Sequence, residues 1–106
     1  MEKVYSIKEI KKESETVFKK YPCVQEAYLF GSYACGEADK DSDLDYYVIL
    51  NRKYDLNNMR QILSANGELS FVFDMDVDLL VPEDIKDKQV FLENIEKDKV
   101  LIYERD

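Results

Sequence analysis

Two short polar motifs are the part of this sequence with the clearest potential for chemistry. Gly31-Ser32 ends one apolar run, and after ten residues an Asp-Leu-Asp unit over 43–45 opens another. Backbone N–H groups at a Gly-Ser turn can donate hydrogen bonds to phosphate oxygens. On a strand, the side chains of Asp43 and Asp45 lie on the same face, and their Cα atoms are about 6.5–7 Å apart. Two carboxylates at so short a distance repel each other, which favours binding of a cation between them. A phosphate site beside a cation site predicts a nucleoside triphosphate as the ligand.

Mg²⁺ suits this arrangement, because it combines one or two carboxylates with phosphate oxygens of the substrate. Two such ions about 3.5–4 Å apart can activate an attacking hydroxyl and stabilise departing pyrophosphate. A third carboxylate is expected from the segment 71–80, where Asp74, Asp76 and Asp78 alternate with apolar residues. On one strand the three would share a face. Asp78 lies deepest in the apolar run and is the best candidate for a metal ligand or general base, whereas solvent can reach Asp74 and Asp76.

An EF-hand interpretation of the same region fails on residue identity. Asp39, Asp41 and Asp43 match the first three ligands of that calcium loop. The glycine and the bidentate glutamate that the loop requires are replaced by Leu44 and Leu50.

Other classes of site are excluded by the rest of the chain. Glu37-Ala38 stands where a P-loop requires Lys followed by Ser or Thr. The sequence contains no histidine, which excludes zinc catalysis and Ser-His or Cys-His nucleophiles. The net charge of −8 argues against long DNA or RNA as a partner. A small metal-chelated nucleotide or a basic protein fits that charge better.

Hydrophobic periodicity predicts the elements that must position these motifs. Ser6 and Glu9 form a capping box for an amphipathic helix over 6–21, which Pro22 ends. The later elements are predicted as a strand over 24–30, a short helical turn over 33–35, a strand over 44–50, a helix over 56–65 stopped by Asn66-Gly67, a strand within 70–81, a helix over 83–97 and a strand over 100–103. Alternation of strands and helices predicts an α/β (α+β) fold in which helices cover one sheet.

The length of 106 residues predicts a single domain, 1–106. The apolar runs are too short to span a membrane, and the first residues lack a signal-peptide pattern, so we expect a cytoplasmic protein without a membrane partner. Cys23 and Cys35 lack the spacing of metal ligands and are expected to be reduced thiols, with Cys35 a small buried side chain. Tyr33 is expected to pack in the core, close enough to the motif to touch a base.

The segment 31–45 has the sequence GSYACGEADKDSDLD. It resembles the signature of polymerase-β-type nucleotidyltransferases and is most similar to the minimal nucleotidyltransferase (MNT) proteins. The segments 77–79 and 100–104 also resemble that family, so the resemblance covers nearly the whole chain. It implies the nucleotidyltransferase fold, with one mixed sheet of about four strands covered by helices.

By this resemblance, Gly31 and Ser32 would bind the triphosphate of ATP, and Asp43 and Asp45 would hold two Mg²⁺ ions. Asp78 would complete the metal site and help to deprotonate the attacking hydroxyl. MNT proteins are commonly antitoxins paired with an all-helical HEPN toxin, and they are implicated in transferring AMP from ATP to a tyrosine of that toxin. The resemblance implies the same function and a small helical HEPN-type partner here, and it leaves a homo-oligomer open.

One position departs from the family pattern. Cys35 stands where the family usually carries arginine, which could neutralise phosphate charge or fix the loop, and cysteine does neither. Two hypotheses therefore stay open: an active adenylyltransferase, and a catalytically weak binding module that neutralises its partner by occlusion. Transfer to a small molecule is less favoured, because so short a chain leaves no second domain to build an acceptor pocket.

Overall fold

The computed structural model describes residues 4–106 of the chain. Its helices and strands are, in order, α1 Ile7–Phe18, β1 Val24–Phe30, α2 Ser32–Cys35, β2 Leu44–Leu50, α3 Leu56–Phe73, β3 Val77–Leu80, α4 Pro82–Ile85, α5 Gln89–Asp98 and β4 Val100–Glu104. Residues 1–3, the start of the stretch in which no signal-peptide pattern was found, lie outside the described residues. Among the helices formed by residues 4–106, none combines the length and the apolar character needed to cross a membrane.

The strands form one mixed sheet of four, in the order β3-β2-β1-β4. β1 pairs antiparallel with β2 and with β4, whereas β2 and β3 are parallel because α3 carries the chain back between them. This arrangement confirms the predicted fold class. It also places the last residue of β1, Phe30, at the same edge of the sheet as the first residues of β2 and β3, Leu44 and Val77.

The two faces of the sheet are covered unequally. Helices α1 and α3 pack on one face and enclose the main core. Its largest fully buried side chains include Tyr46, Phe18, Phe73, Ile10, Leu29 and Leu44. The other face carries a smaller cluster of Phe30, Tyr47, Ile85 and Ile95 under α4 and α5. Because side chains alternate along a strand, Asp45 shares this second face with Tyr47.

Helix α1 begins as the sequence predicts. The Ser6 hydroxyl accepts a hydrogen bond from the Glu9 N–H at 3.1 Å, and the Glu9 carboxylate accepts one from the Ser6 N–H at 3.0 Å. Its apolar stripe includes Ile10, Val17 and Phe18, which are buried.

The helix ends at Phe18, three residues earlier than predicted, where Arg105 binds its terminus. The Arg105 guanidinium donates hydrogen bonds to the carbonyl oxygens of Phe18 and Tyr21, both at 3.0 Å, and of Val24 at 2.9 Å. The Phe18 and Tyr21 carbonyls also accept hydrogen bonds from the N–H groups of Tyr21 and Val24, both at 3.0 Å, so the guanidinium adds a charged donor to a turn that is already hydrogen-bonded.

The predicted end of the second main helix was wrong. α3 continues through the Asn-Gly pair at 66–67 to Phe73. Ile62, Ala65, Leu69 and Phe73 are all buried on one face at helical spacing. Glycine inside a helix costs only about 1 kcal/mol relative to alanine, and burial of two large side chains beyond Gly67 outweighs that amount.

The strand predicted within 70–81 is β3, Val77–Leu80, and the three aspartates do not share it. Asp74 ends α3 in the left-handed conformation, with φ 53° and ψ 49°. Asp76 lies in the connecting loop, where its carbonyl accepts a hydrogen bond from the Leu44 N–H at 3.1 Å. Of the three, only Asp78 lies in β3.

The single helix predicted over 83–97 is two helices, α4 and α5, with a break at residues 86–88. The break changes which side chains face the sheet. Ile85 and Ile95 are buried, whereas Val90 is 71% exposed and Phe91 is 37% exposed. Phe91 thereby becomes available at the edge of the sheet instead of being part of the core.

Candidate active site at the shared edge of three strands

Strand pairing brings three of the predicted residues together. Asp45 lies opposite Phe30 of β1 on one side and opposite Asp78 of β3 on the other. Gly31 follows Phe30 directly, so the Gly-Ser turn begins where the two carboxylates meet. The sequence separates Asp45 from Asp78 by α3, and the parallel pairing of β2 with β3 removes that separation.

Gly31 lies in direct contact with the carboxylate of Asp45. A Cβ atom added at Gly31 would lie 2.6 Å from Asp45 Oδ2, and the Gly31 φ of +76° belongs to the left-handed region that favours glycine. Any larger residue would displace the carboxylate or the turn. The turn then enters α2, where the Gly31 carbonyl accepts a hydrogen bond from the Cys35 N–H at 3.1 Å.

The loop before β2 is held by its own polar groups. The Asp39 carboxylate accepts hydrogen bonds from the Asp41 N–H at 2.9 Å and from the Ser42 hydroxyl at 3.3 Å. Asp43 follows this turn in an exposed position just before β2. The loop therefore delivers the Asp43 side chain to the rim of the site, while Asp45 lies deeper.

Asp45 is the carboxylate whose ionisation is most affected by the fold. Burial, followed by the charges of Asp78 and Asp43, raises the pKa of Asp45 to about 6. Each cause disfavours a further negative charge at this position, and each would be relieved by a cation bound among the carboxylates. The site is thus prepared for a cation that accepts oxygen ligands.

The protein supplies only part of a metal coordination sphere. Within residues 4–106, no three acidic, cysteine or histidine side chains converge closely enough to hold a metal ion by themselves. Asp43 and Asp78 are both exposed. This pattern fits Mg²⁺, which keeps water and substrate phosphate oxygens as ligands and does not require a complete protein cage.

A cavity of about 390 Å³ opens between these carboxylates and α5. The floor is formed by the sheet at Phe30, Gly31, Asp45, Asp78 and Leu80, and the facing wall by Phe91, Asn94, Ile95 and Asp98 of α5. Its volume falls within the usual range of small-molecule sites. The sequence predicted no role for the α5 residues. Their spacing is that of one helix face, but none belongs to a motif that indicates chemistry.

Cys35 and Tyr33 are placed differently from each other. The prediction that Cys35 is buried was wrong, since it is exposed at the end of α2. Slight desolvation and the carboxylates of Asp98 and Glu37 raise the pKa of the Cys35 thiol. The thiol is thus kept protonated and contributes no charge to the site. Tyr33 is buried in the main core, as expected for a packing residue.

A four-stranded mixed sheet that carries paired carboxylates beside a glycine turn defines a nucleotidyltransferase-type protein. The family model described as "Polymerase beta, Nucleotidyltransferase" matches residues 12–106. The chain therefore belongs to this family and is a nucleotidyltransferase.

Two relatives come from Methanocaldococcus jannaschii. "Putative protein adenylyltransferase MJ0141" is 32% identical over 75 residues, which is 71% of this chain and 74% of the relative. "Putative protein adenylyltransferase MJ1379" is 30% identical over 105 residues, which is 96% of this chain and 100% of the relative.

Solved structures share the fold at lower identity. A toxin–antitoxin crystal structure with AMP-PNP has a TM-score of 0.72 at 22% identity, over 90% of this chain and 73% of that one. A structure of the tri-AMPylated HEPN toxin of Shewanella oneidensis in complex with its MNT antitoxin has a TM-score of 0.67 at 19% identity, over 93% of this chain and 73% of that one. These likenesses show the arrangement of helices and strands.

Proposed function

We propose that this chain, acting as one domain in the cytoplasm, transfers AMP from ATP to a hydroxyl group of a partner protein. The observation that supports the proposal most directly is the contact of Gly31 with Asp45, next to Asp78 on the neighbouring strand. In this proposal, Gly31 and Ser32 bind the triphosphate through backbone N–H groups. Asp43, Asp45 and Asp78 are the ligands for Mg²⁺, which when bound would neutralise phosphate charge and favour an ionised acceptor hydroxyl.

The transfer requires a hydroxyl oxygen to attack the α-phosphorus of ATP. A new bond forms between that oxygen and the phosphorus, the bond from the phosphorus to the bridging oxygen breaks, and pyrophosphate leaves. Asp78 is exposed at the edge of the site, where an incoming hydroxyl can reach it, and it accepts the proton. The deeper Asp45 is held by Gly31 and orients the nucleotide.

The acceptor that we propose is a tyrosine of a small helical HEPN-type toxin, which makes this chain an antitoxin. The two relatives named as protein adenylyltransferases support a protein acceptor. The shared fold with an MNT antitoxin bound to an AMPylated HEPN toxin supports this class of partner. A net charge of −8 favours association with a basic protein surface.

The test is incorporation of label from α-³²P-ATP into a purified small helical HEPN-type protein that binds this chain. We expect Mg²⁺-dependent labelling by the natural chain and loss of labelling in Asp43→Asn and in Asp45→Asn. Asp87→Asn is the matched control, because Asp87 is an exposed aspartate outside the site, and it should label normally. Undiminished labelling by both site variants would refute the assignment of these carboxylates.

A second candidate function is neutralisation of the partner by binding alone. The exposed Cys35, which provides no positive charge next to the triphosphate site, favours it. In that case the double variant Asp43→Asn/Asp45→Asn would still protect cells from the toxin. Loss of protection in the double variant, with complex formation retained, would exclude occlusion as the mechanism.

A further inference from the structure

We propose that the cavity beside the carboxylates binds the base of the nucleoside triphosphate, with Phe91 as the stacking residue and Asn94 as the residue that reads the base edge. This inference rests on the proposed function, because it presumes that the phosphates lie at Gly31 and the carboxylates.

One face of α5 lies across the cavity from the carboxylates. Phe91, Asn94 and Asp98 follow one another at intervals of three and four residues, so they lie on one face of the helix. All three line the cavity whose opposite wall contains Asp45 and Asp78. A ligand with its phosphates at the carboxylates would therefore extend its remaining part along this face of α5.

An aromatic ring is exposed at the cavity wall. The rings of Phe91 and Phe30 meet edge to face, with centroids 5.9 Å apart and an interplanar angle of 76°. Phe30 is buried in the sheet and holds the Phe91 ring from one side, while Phe91 itself is 37% exposed. A positioned ring with an accessible surface is suited to stack on a flat π-system such as a nucleobase.

The side-chain amide of Asn94 is available to hydrogen-bond a ligand in the cavity. Its neighbours on α5 have partners, since Gln89 donates to Glu93 at 3.3 Å and Lys99 pairs with Glu96 at 2.8 Å. The Asn94 side chain makes no hydrogen bond to any of residues 4–106, although it lies at the cavity. A side-chain amide presents an NH₂ donor group and a carbonyl acceptor in one plane, which matches the N6–H and N7 edge of adenine.

Titration with two ligands distinguishes binding of the base from binding of the phosphates. Isothermal titration with α,β-methylene-ATP and Mg²⁺ measures base and phosphates together, and titration with tripolyphosphate and Mg²⁺ measures the phosphates alone. We expect Phe91→Leu, which keeps an apolar side chain but removes the ring, to weaken binding of the ATP analogue roughly 5- to 100-fold and to leave tripolyphosphate unchanged. Phe91→Tyr should bind both ligands like the natural chain.

Val90→Ala is the matched control, because Val90 is 71% exposed on the same helix and does not line the cavity. It should change neither affinity. Asn94→Leu should weaken the ATP analogue and not tripolyphosphate. Circular dichroism establishes that each variant is folded before titration.

Three results would overturn the inference. Unchanged affinity of Phe91→Leu for the ATP analogue would show that the base lies elsewhere. If the same variant also labelled the protein partner less than the natural chain does, the cavity would be assigned to binding of the acceptor. Equal loss for both ligands would show that Phe91 acts through the phosphate site. Failure of the natural chain to bind either ligand would instead refute the proposed function, and the base site with it.

Discussion

Replacing Asp45 by asparagine is expected to stabilise the protein in the absence of metal at pH 8 while it abolishes nucleotidyl transfer. The folded state raises the pKa of Asp45 from 3.8 to about 6, through burial and the charges of Asp78 and Asp43. A raised carboxyl pKa means that the ionised form is less stable in the folded protein than in the unfolded chain. Asparagine has nearly the same shape and carries no charge.

The magnitude follows from the size of the shift. A difference of about two pKa units corresponds to about 3 kcal/mol at 1.36 kcal/mol per unit. Because Asp45 is only half-buried, solvent screening reduces this to about 1.5 kcal/mol. The Asp45 carboxylate accepts no hydrogen bond from residues 4–106 that the substitution would remove. The expected increase in melting temperature is roughly 6 °C.

The pH dependence provides the stricter test. The penalty is fully present above the folded pKa of about 6 and disappears as pH falls towards the unfolded value of 3.8. The advantage of Asp45→Asn should therefore be clearly smaller at pH 4.5 than at pH 8. Urea denaturation in EDTA, followed by circular dichroism at both pH values, measures it, with Asp87→Asn as the control.

A variant less stable than the natural chain at pH 8, or an advantage that does not change with pH, would refute this account. In the presence of Mg²⁺ and α,β-methylene-ATP, the natural chain should be more stable than Asp45→Asn. The natural chain gains stability by binding these ligands, whereas Asp45→Asn does not.

Other substitutions test separate parts of the structure. Gly31→Ala should remove binding of tripolyphosphate and lower the free energy of unfolding by about 1–3 kcal/mol, because its Cβ would meet Asp45. Gly67→Ala is its control: nothing lies within 4 Å of the added Cβ in the middle of α3, so urea denaturation should show a gain of about 0.5–1 kcal/mol. Arg105→Ala should lower the urea midpoint by an amount equivalent to about 2–3 kcal/mol, since it removes the hydrogen bonds that a charged donor makes to the carbonyl groups of Phe18, Tyr21 and Val24. Cys35→Arg should strengthen binding of tripolyphosphate measured by calorimetry, and unchanged affinity would show that this exposed position lies too far from the phosphates.

Local patterns were sufficient for the elements whose boundary signals act at short range. The capping box of α1 and the bounds of β1 and β2 follow from residues that are neighbours in the chain. The Asn-Gly pair at 66–67 was misleading, because its preference for a turn is weaker than the burial of Leu69 and Phe73 against the sheet. That burial depends on a core which a sequence window does not contain.

For the candidate site, too, local sequence predicted some features and tertiary contacts decided others. Motif spacing predicted Gly31, Asp43 and Asp45 as site residues, and the depth of Asp78 in an apolar run favoured it over two neighbouring aspartates. The prediction that the three aspartates share one strand face was wrong, since Asp74 and Asp76 precede β3.

The sequence by itself determined the class of chemistry, because a glycine turn and paired carboxylates at fixed spacing are local features of one β-turn-β segment. Only the tertiary structure decided which groups meet. The parallel pairing of β2 with β3 places Asp45 opposite Asp78, and the path of α5 brings Phe91 and Asn94 to the same cavity. These contacts join residues more than 30 positions apart, and side-chain burial and strand pairing across the whole sheet select them.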